Sequence, residues 1–362
     1  MVHIRCVFDN LGDILVANAI EEMLSGMNVF SAMPSRLLKV FDGTIGVQRA
    51  FAYSGLGGGT LVLAPRGIGW LEAVEYFIHK TKPLCTFGTG VIDPEFRAHV
   101  SALNRDSFSI DRGTVDAWRS CLSHFRFVTV RGVESERIVK EMGFFPVEVI
   151  GDPAIYYSRP NIVPKKCRKR IGVNMSVSSD FWGNSQKLVL ERMRTALHWL
   201  RQEGWRITIF PTEPRDHRVA QDVCKDDFAE IPICDLHRKP QAFIERVAEQ
   251  DVFLGTKLHS VISAFCSYTP SIMIGYQPKC YDFMKTMGFE RYYMRSDQLE
   301  AEWMISCIQE MYENIEGIQK RQFEICQYYR NKQLDFRNRV LKSIGISIPG
   351  MTSSLPFGAA KQ

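Results

Sequence analysis

No Cys-x-x-Cys pair occurs among the ten cysteines, and no Cys/His run has the spacing of a zinc site. Single cysteines scattered through a chain of enzyme size read as reduced thiols that pack as small hydrophobes, which points to a reducing, cytoplasmic compartment. No run approaches the roughly 18 consecutive apolar residues of a membrane span. Met1–Phe8 has neither the charged region nor the long apolar run of a secretion signal. Dense basic stripes are also missing; the one cluster is Lys165, Lys166, Arg168, Lys169 and Arg170. A nucleic-acid binder would carry more, interleaved with aromatics, so no nucleic-acid partner is expected. The net charge of +5 suits an anionic small substrate, contact with the inner face of an anionic membrane, or solubility alone.

What is present is ordinary for a globular enzyme: 362 residues, 45% hydrophobic and 23% charged. At about 150 residues per domain this predicts two domains, each able to bury its own core. Strand-like runs at Ile4–Phe8, Phe51–Tyr53, Leu84–Phe87, Phe127–Val130 and Val147–Ile150 alternate with helical segments at Ile14–Leu24, Trp118–Ser123 and Ser135–Met142. The rhythm restarts with strands at Ile171–Asn174, Arg206–Phe210, Val252–Leu254 and Ser271–Ile274. Helical segments lie between them at Leu188–Gln202, Arg215–Cys224, Gln241–Ala248 and His259–Phe265. Such alternation predicts parallel sheets. Ser158–Arg170, rich in Pro, Lys and Arg, reads as a linker. The expected fold is α/β, two Rossmann-like domains facing a central cleft. The N-terminal domain spans 1–160, the linker 161–170, and the C-terminal domain with a long helical segment 171–335. The tail is 336–362.

Ligands of open parallel sheets bind outside the carboxyl ends of the strands, and the unusual residues gather there. Asn10-Leu11-Gly12-Asp13 turns straight into a helix, where Asp13 either caps the helix or faces an anion. Gly57-Gly58-Gly59-Thr60 exposes several N–H groups, as a tight turn or as an anion cradle. It is not a dinucleotide fingerprint, since no G-x-G-x-x-G opens a helix there. Arg131 closes a strand and either grips an anion with its planar fork or pairs on the surface with Glu134 or Asp152. Lys257-Leu258-His259-Ser260 is the most informative segment, a cation and a titratable ring two apart at a strand-to-helix turn. The alternative is a histidine satisfied by backbone. Tyr276-Gln277-Pro278-Lys279 brings a second lysine, ligand-facing or solvated, to the same sheet end.

Taken in order, these pieces resemble the polysaccharide pyruvyl transferase family. The matching segments are Asn10-Leu11-Gly12-Asp13, Gly57-Gly58-Gly59-Thr60-Leu61, Phe87-Gly88-Thr89-Gly90, Val130-Arg131-Gly132 with Ser135, Gly151-Asp152-Pro153, Gly172-Val173-Asn174, Lys257-Leu258-His259 and Tyr276-Gln277-Pro278-Lys279. The resemblance implies two Rossmann-like domains of GT-B type. It also implies phosphoenolpyruvate as donor and a saccharide acceptor, free or lipid-linked, with a pyruvate ketal and phosphate as products. No cofactor and no metal are expected. The resemblance carries the general acid to His259 and donor binding to Arg131, Lys257, Leu258 and Lys279. It places Asn10, Gly12, Asp13, Gly58, Gly59 and Asn174 in anion- or substrate-binding loops. The chain departs from the pattern at Lys257, where arginine is usual, and at Gly132, where aspartate is common.

Two other readings compete. A nucleotide-sugar glycosyltransferase of the same architecture would use an acidic residue near the ribose, with Glu213 and Asp216 as candidates. A non-catalytic saccharide-binding protein on the same scaffold would tolerate both departures.

Overall fold

The computed structural model describes residues 1–5, 9–32, 46, 51–67, 69–104, 110–176, 182–184, 186–225 and 227–346. In the first half, β1 (Val2–Ile4), β2 (Phe30–Ala32), β3 (Tyr53–Gly57) and β5 (Lys82–Phe87) form a parallel sheet in the order β2-β1-β3-β5. β4 (Thr60–Val62) and β6 (Gly90–Val91) pair with each other. β7 (Thr129–Val130) and β8 (Glu148–Val149) continue the sheet through bridges from Cys85 to Phe127 and from Thr89 to Val130. The helices here are α1 (Leu11–Met23), α2 (Trp70–Lys80), α3 (Pro94–Asn104), α4 (Arg112–Ser123) and α5 (Val133–Glu141).

The second half builds a separate parallel sheet, β10-β9-β11-β12-β13, from β9 (Arg170–Asn174), β10 (Arg206–Ile209), β11 (Val252–Gly255), β12 (Ser271–Gly275) and β13 (Tyr293–Arg295). Its helices are α6 (Gln186–Gln202), α7 (Pro214–Cys224), α8 (Pro240–Ala248), α9 (Leu258–Cys266), α10 (Pro278–Thr286), α11 (Ala301–Glu313) and α12 (Ile315–Ser343). Every residue of β11 and β12 is buried. A parallel sheet covered by helices on both faces demands this, which is why these strands read as unbroken apolar runs. Helices α7, α8 and α10 each begin with proline at the first turn, where the missing N–H costs nothing. Two α/β halves, each with its own parallel sheet, are the architecture expected from the alternation. Residues 158–169 between them form neither helix nor strand.

Helix α12 returns from the second half to the first. Gln319 donates to the carbonyls of Val163 and Tyr268, and Gln322 to that of Thr269. Further along, Gln333 donates to the Ile150 and Asp152 carbonyls, and Phe336 packs edge-on to Phe87 and Phe127 at 5.2 and 5.9 Å. All three glutamines are buried. The helical, polar pattern of residues 298–342 agrees with a helix that runs to Ser343, and the tail boundary at residue 336 is corrected, because Phe336, Val340 and Leu341 are wholly buried. Residues 347–362 lie outside the described residues.

Phe336→Ala is expected to lower stability by roughly 3–5 kcal/mol, the cost of emptying a fully buried aromatic site. Denaturant unfolding measures it, and an unchanged midpoint would return residue 336 to a peripheral tail.

Candidate functional site

The carboxyl ends of both sheets face one cleft with a volume of about 530 Å³, within the range of small-molecule sites. From the first half it is lined by Asn10, Gly12, Asp13, Gly58, Gly59, Thr60, Asp93, Phe96, Arg97 and Arg131. The second half contributes Thr212, Glu213, Lys257, Leu258, His259, Tyr276, Gln277 and Lys279. A backbone hydrogen bond from Leu11 N–H to the Thr212 carbonyl, 2.8 Å, joins the two walls.

His259 is the second residue of α9, on the first turn after β11. Its Nε2 lies 3.6 Å from Asp152 Oδ2 and is buried; the ring is 19% exposed. The other face of the ring rests on α1. A Cβ on Gly12 would come within 2.2 Å of His259 Nδ1, so only glycine lets the helix approach this closely. Gly12 is thus needed for contact rather than for unusual backbone angles. Asn10 caps α1, accepting from Asp13 N–H at 2.9 Å and donating from its amide to the Asp13 carboxylate at 3.0 Å.

Arg131 follows β7 and is 3% exposed, so it is not a surface arginine. Nη2 donates to Thr60 Oγ1 at 3.1 Å, and Nη1 lies 3.6 Å from Asp152 Oδ2. Glu134, the other partner considered for it, pairs instead with Lys285 and Arg137. Asp152 therefore sits between Arg131 and His259. Burial alone would push its carboxyl up. The His259 ring, the Arg131 guanidinium and the Ala154 N–H outweigh burial and hold it below its ordinary value. Sequence reasoning placed Asp152 in a Gly-Asp-Pro motif and offered it as a surface partner of Arg131; the pair is buried, and its sharing with His259 was missed.

Lys257 Nζ is 3.0 Å from Glu213 Oε1. The Lys257 and Lys279 ammonium groups both lie over the Tyr276 ring, 5.4 and 4.8 Å from its centre. Burial is the main cause that lowers the Lys279 pKa to about 8; Lys257 and Arg131 add to it, while Cys280 and Asp13 oppose it. Arg131, Lys257 and Lys279 thus converge around a histidine, an arrangement suited to a small polyanion.

Asn174 requires correction. It is fully buried and does not line the cleft. Its amide donates to the Phe210 carbonyl, and its oxygen accepts from Lys257 N–H at 2.9 Å and from Ser260. It shapes the turn carrying Lys257 and His259 from beneath. Asp216 is also buried, accepting from Thr212 N–H and Oγ1 at 2.9 and 2.6 Å, and burial raises its carboxyl despite those bonds.

A family model described as polysaccharide pyruvyl transferase matches residues 10–278. No curated protein matches the chain. Among solved structures it is similar to the UDP-bound MnaA of S. aureus, with 10% identity, 98% of each chain covered and a TM-score of 0.57. It is also similar to UDP-GlcNAc 2-epimerase from Neisseria meningitidis bound to UDP-GlcNAc, at 9% identity, 95% of this chain and 100% of that one, TM-score 0.56. Spinosyn rhamnosyltransferase SpnG complexed with thymidine diphosphate matches at 10% identity over 95% of this chain and 99% of that one, TM-score 0.52. At such identities the likeness is one of fold, and the fold is of GT-B type.

Binding of sulfate, whose own charge is constant near neutrality, is expected to weaken as pH rises through about 8, where Lys279 passes from ammonium to amine. Calorimetry across that range tests it. In Lys279→Gln the decline should flatten, and an equal decline in both proteins would assign it to another group.

Proposed function

The chain belongs to the polysaccharide pyruvyl transferase family, and from that premise we propose that it moves the pyruvyl group of phosphoenolpyruvate onto a saccharide of a polysaccharide or its lipid-linked precursor. The observation that carries the reading is the convergence of Arg131, Lys257 and Lys279 on a cleft whose histidine is held by a buried aspartate.

Phosphoenolpyruvate carries a carboxylate and a phosphate on one enol carbon. Ketal formation requires a proton on the methylene carbon, attack of a sugar hydroxyl on the central carbon, departure of phosphate, and closure by a second hydroxyl. The methylene becomes a methyl group, and each hydroxyl gives up its proton. His259 supplies the proton, and the three cations hold the donor and neutralise the leaving phosphate. Asp152, 3.6 Å from Nε2 and beyond hydrogen-bond distance, orients the ring by charge from behind, in the place that a carboxylate takes behind a catalytic histidine. The acceptor, which needs only hydroxyl and ring contacts, fits the wall formed by Asp93, Phe96 and Arg97.

The structural neighbours that carry UDP or thymidine diphosphate favour a second reading, a nucleotide-sugar transferase. Against it, Asp216 is buried against Thr212, and Glu213 is engaged by Lys257, so neither acidic candidate is presented to a ribose. Calorimetry with phosphoenolpyruvate and with UDP-sugars separates the two: the pyruvyl reading requires binding of the first. Phosphate release that depends on an acceptor excludes a non-catalytic binding protein. No described helix is long and apolar enough to cross a membrane; membrane contact, if made, would be peripheral through the basic surplus.

His259→Gln keeps volume and one hydrogen bond but cannot protonate carbon. It is expected to fold and bind donor, while turnover drops by roughly 10²–10⁴-fold. Phosphate release with a saccharide acceptor measures this, and near-normal turnover in the folded variant would remove His259 from the chemistry.

A further inference from the structure

Helix α5 begins directly after Arg131-Gly132, and its first N–H groups need partners. Most helices take them from a capping side chain on their own chain just upstream. Here the residue at that position is Gly132, which has none. The partners come from α10, in the other half of the molecule. Val133 N–H donates to Thr286 Oγ1 at 2.9 Å, Glu134 N–H to Asp282 Oδ1 at 2.8 Å, and the Ser135 hydroxyl to Asp282 Oδ2 at 2.6 Å. Asp282 is 3% exposed. A Cβ on Gly132 would fall 2.1 Å from Asp282 Oδ1 and 2.6 Å from Thr286 Oγ1, so the glycine is the space that the foreign cap occupies. The carboxylate that the family resemblance leads one to expect at position 132 is thus supplied from position 282.

The spacing on α10 gives this contact a role in the cleft. Lys279, Asp282 and Thr286 are three and then four residues apart, so they share one face of the helix. Lys279 points into the cleft at the start of that face, and Arg131 stands one residue before the capped glycine. We propose that Asp282, with Thr286, is a positioning residue that fixes the separation of Arg131 and Lys279 across the cleft, so that the two cations grip one donor anion together. Asp282 does not line the cleft, and its effect passes through the helix start that it holds. The proposal explains why a buried carboxylate is spent on a helix that a local aspartate would cap equally well. A cap within the first half would satisfy α5 but would not tie the helix start behind Arg131 to the helix that carries Lys279.

The test moves the carboxylate from one half to the other. Asp282→Ala removes the carboxylate from the cap, and Gly132→Asp combined with Asp282→Ala and Thr286→Ala, which clears the space that a Cβ at position 132 needs, restores a cap within the first half while removing the capping bonds to α10. Amide exchange at residues 133–136 and the thermal midpoint report the cap; calorimetric affinity for phosphoenolpyruvate, and for sulfate, reports the grip. Asp282→Ala is expected to speed exchange and weaken donor affinity at least ~10-fold. The triple variant is expected to regain protection and midpoint but not affinity. Recovery of affinity with the cap would overturn the proposal and leave Asp282 a structural cap alone. Asp282→Asn keeps the shape and one acceptor and serves where the alanine variant fails to fold; faster exchange at residues 133–136 with wild-type affinity in it likewise overturns the proposal. The phosphoenolpyruvate arm rests on the proposed function, whereas the sulfate and exchange arms do not. A protein that binds sulfate but not phosphoenolpyruvate would therefore refute the pyruvyl reading and still decide the role of Asp282.

Discussion

A single carboxylate, buried to 2% exposure, holds the centre of this molecule: Asp152 meets Arg131 from its own half and His259 from the other. A buried charge without partners is costly, and the Asp152 carboxylate and the Arg131 guanidinium each spare the other that cost. The three groups therefore constrain one another. Arg131 is withdrawn from the surface because Asp152 is inside, and His259 keeps one ring orientation because Asp152 is anchored by the Ala154 N–H. The closeness of α1, which leaves room only for glycine at position 12, completes the cage around the ring. Charge balance and steric fit here give the same answer, as expected when local and global preferences agree.

Much of this was legible in the sequence, for a physical reason. Buried parallel strands leave unmistakable apolar runs, and the residues that break each run at its carboxyl end are the ones that face the cleft. Arg131, Lys257, His259 and Lys279 each end or follow such a run, and all four line the cleft. Asn174 also follows a strand, yet faces inward, because strand-end position says nothing about which way a side chain turns. Asp282 was not legible at all. It lies within a helix, and its partner is 148 residues away in the chain, so no local pattern marks it.

The polar residues of α12 were misleading for the opposite reason. A helix carrying Gln319, Gln322 and Gln333 reads as polar, although its extent to about residue 342 was legible. In the fold each of these glutamines sits inside and donates to loop carbonyls, those of Tyr268, Thr269 and Asp152 among them. Loops at the junction of two sheets leave such carbonyls over, and an amide with two donors is well suited to collect them.

The return of α12 to the first half has a consequence for how the protein is made. Chains emerge from the ribosome amino end first, and domains that are complete in sequence can fold as they appear. The first half is not complete in this sense. Phe87 and Phe127 lie early in the chain, but the ring that packs against both belongs to Phe336, and the carbonyls of Ile150 and Asp152 wait for Gln333. The amino-terminal sheet must therefore remain unsealed while nearly the whole of the second half is synthesised. Phe87 and Phe127 stay uncovered on that side until the last long helix brings Phe336 over them.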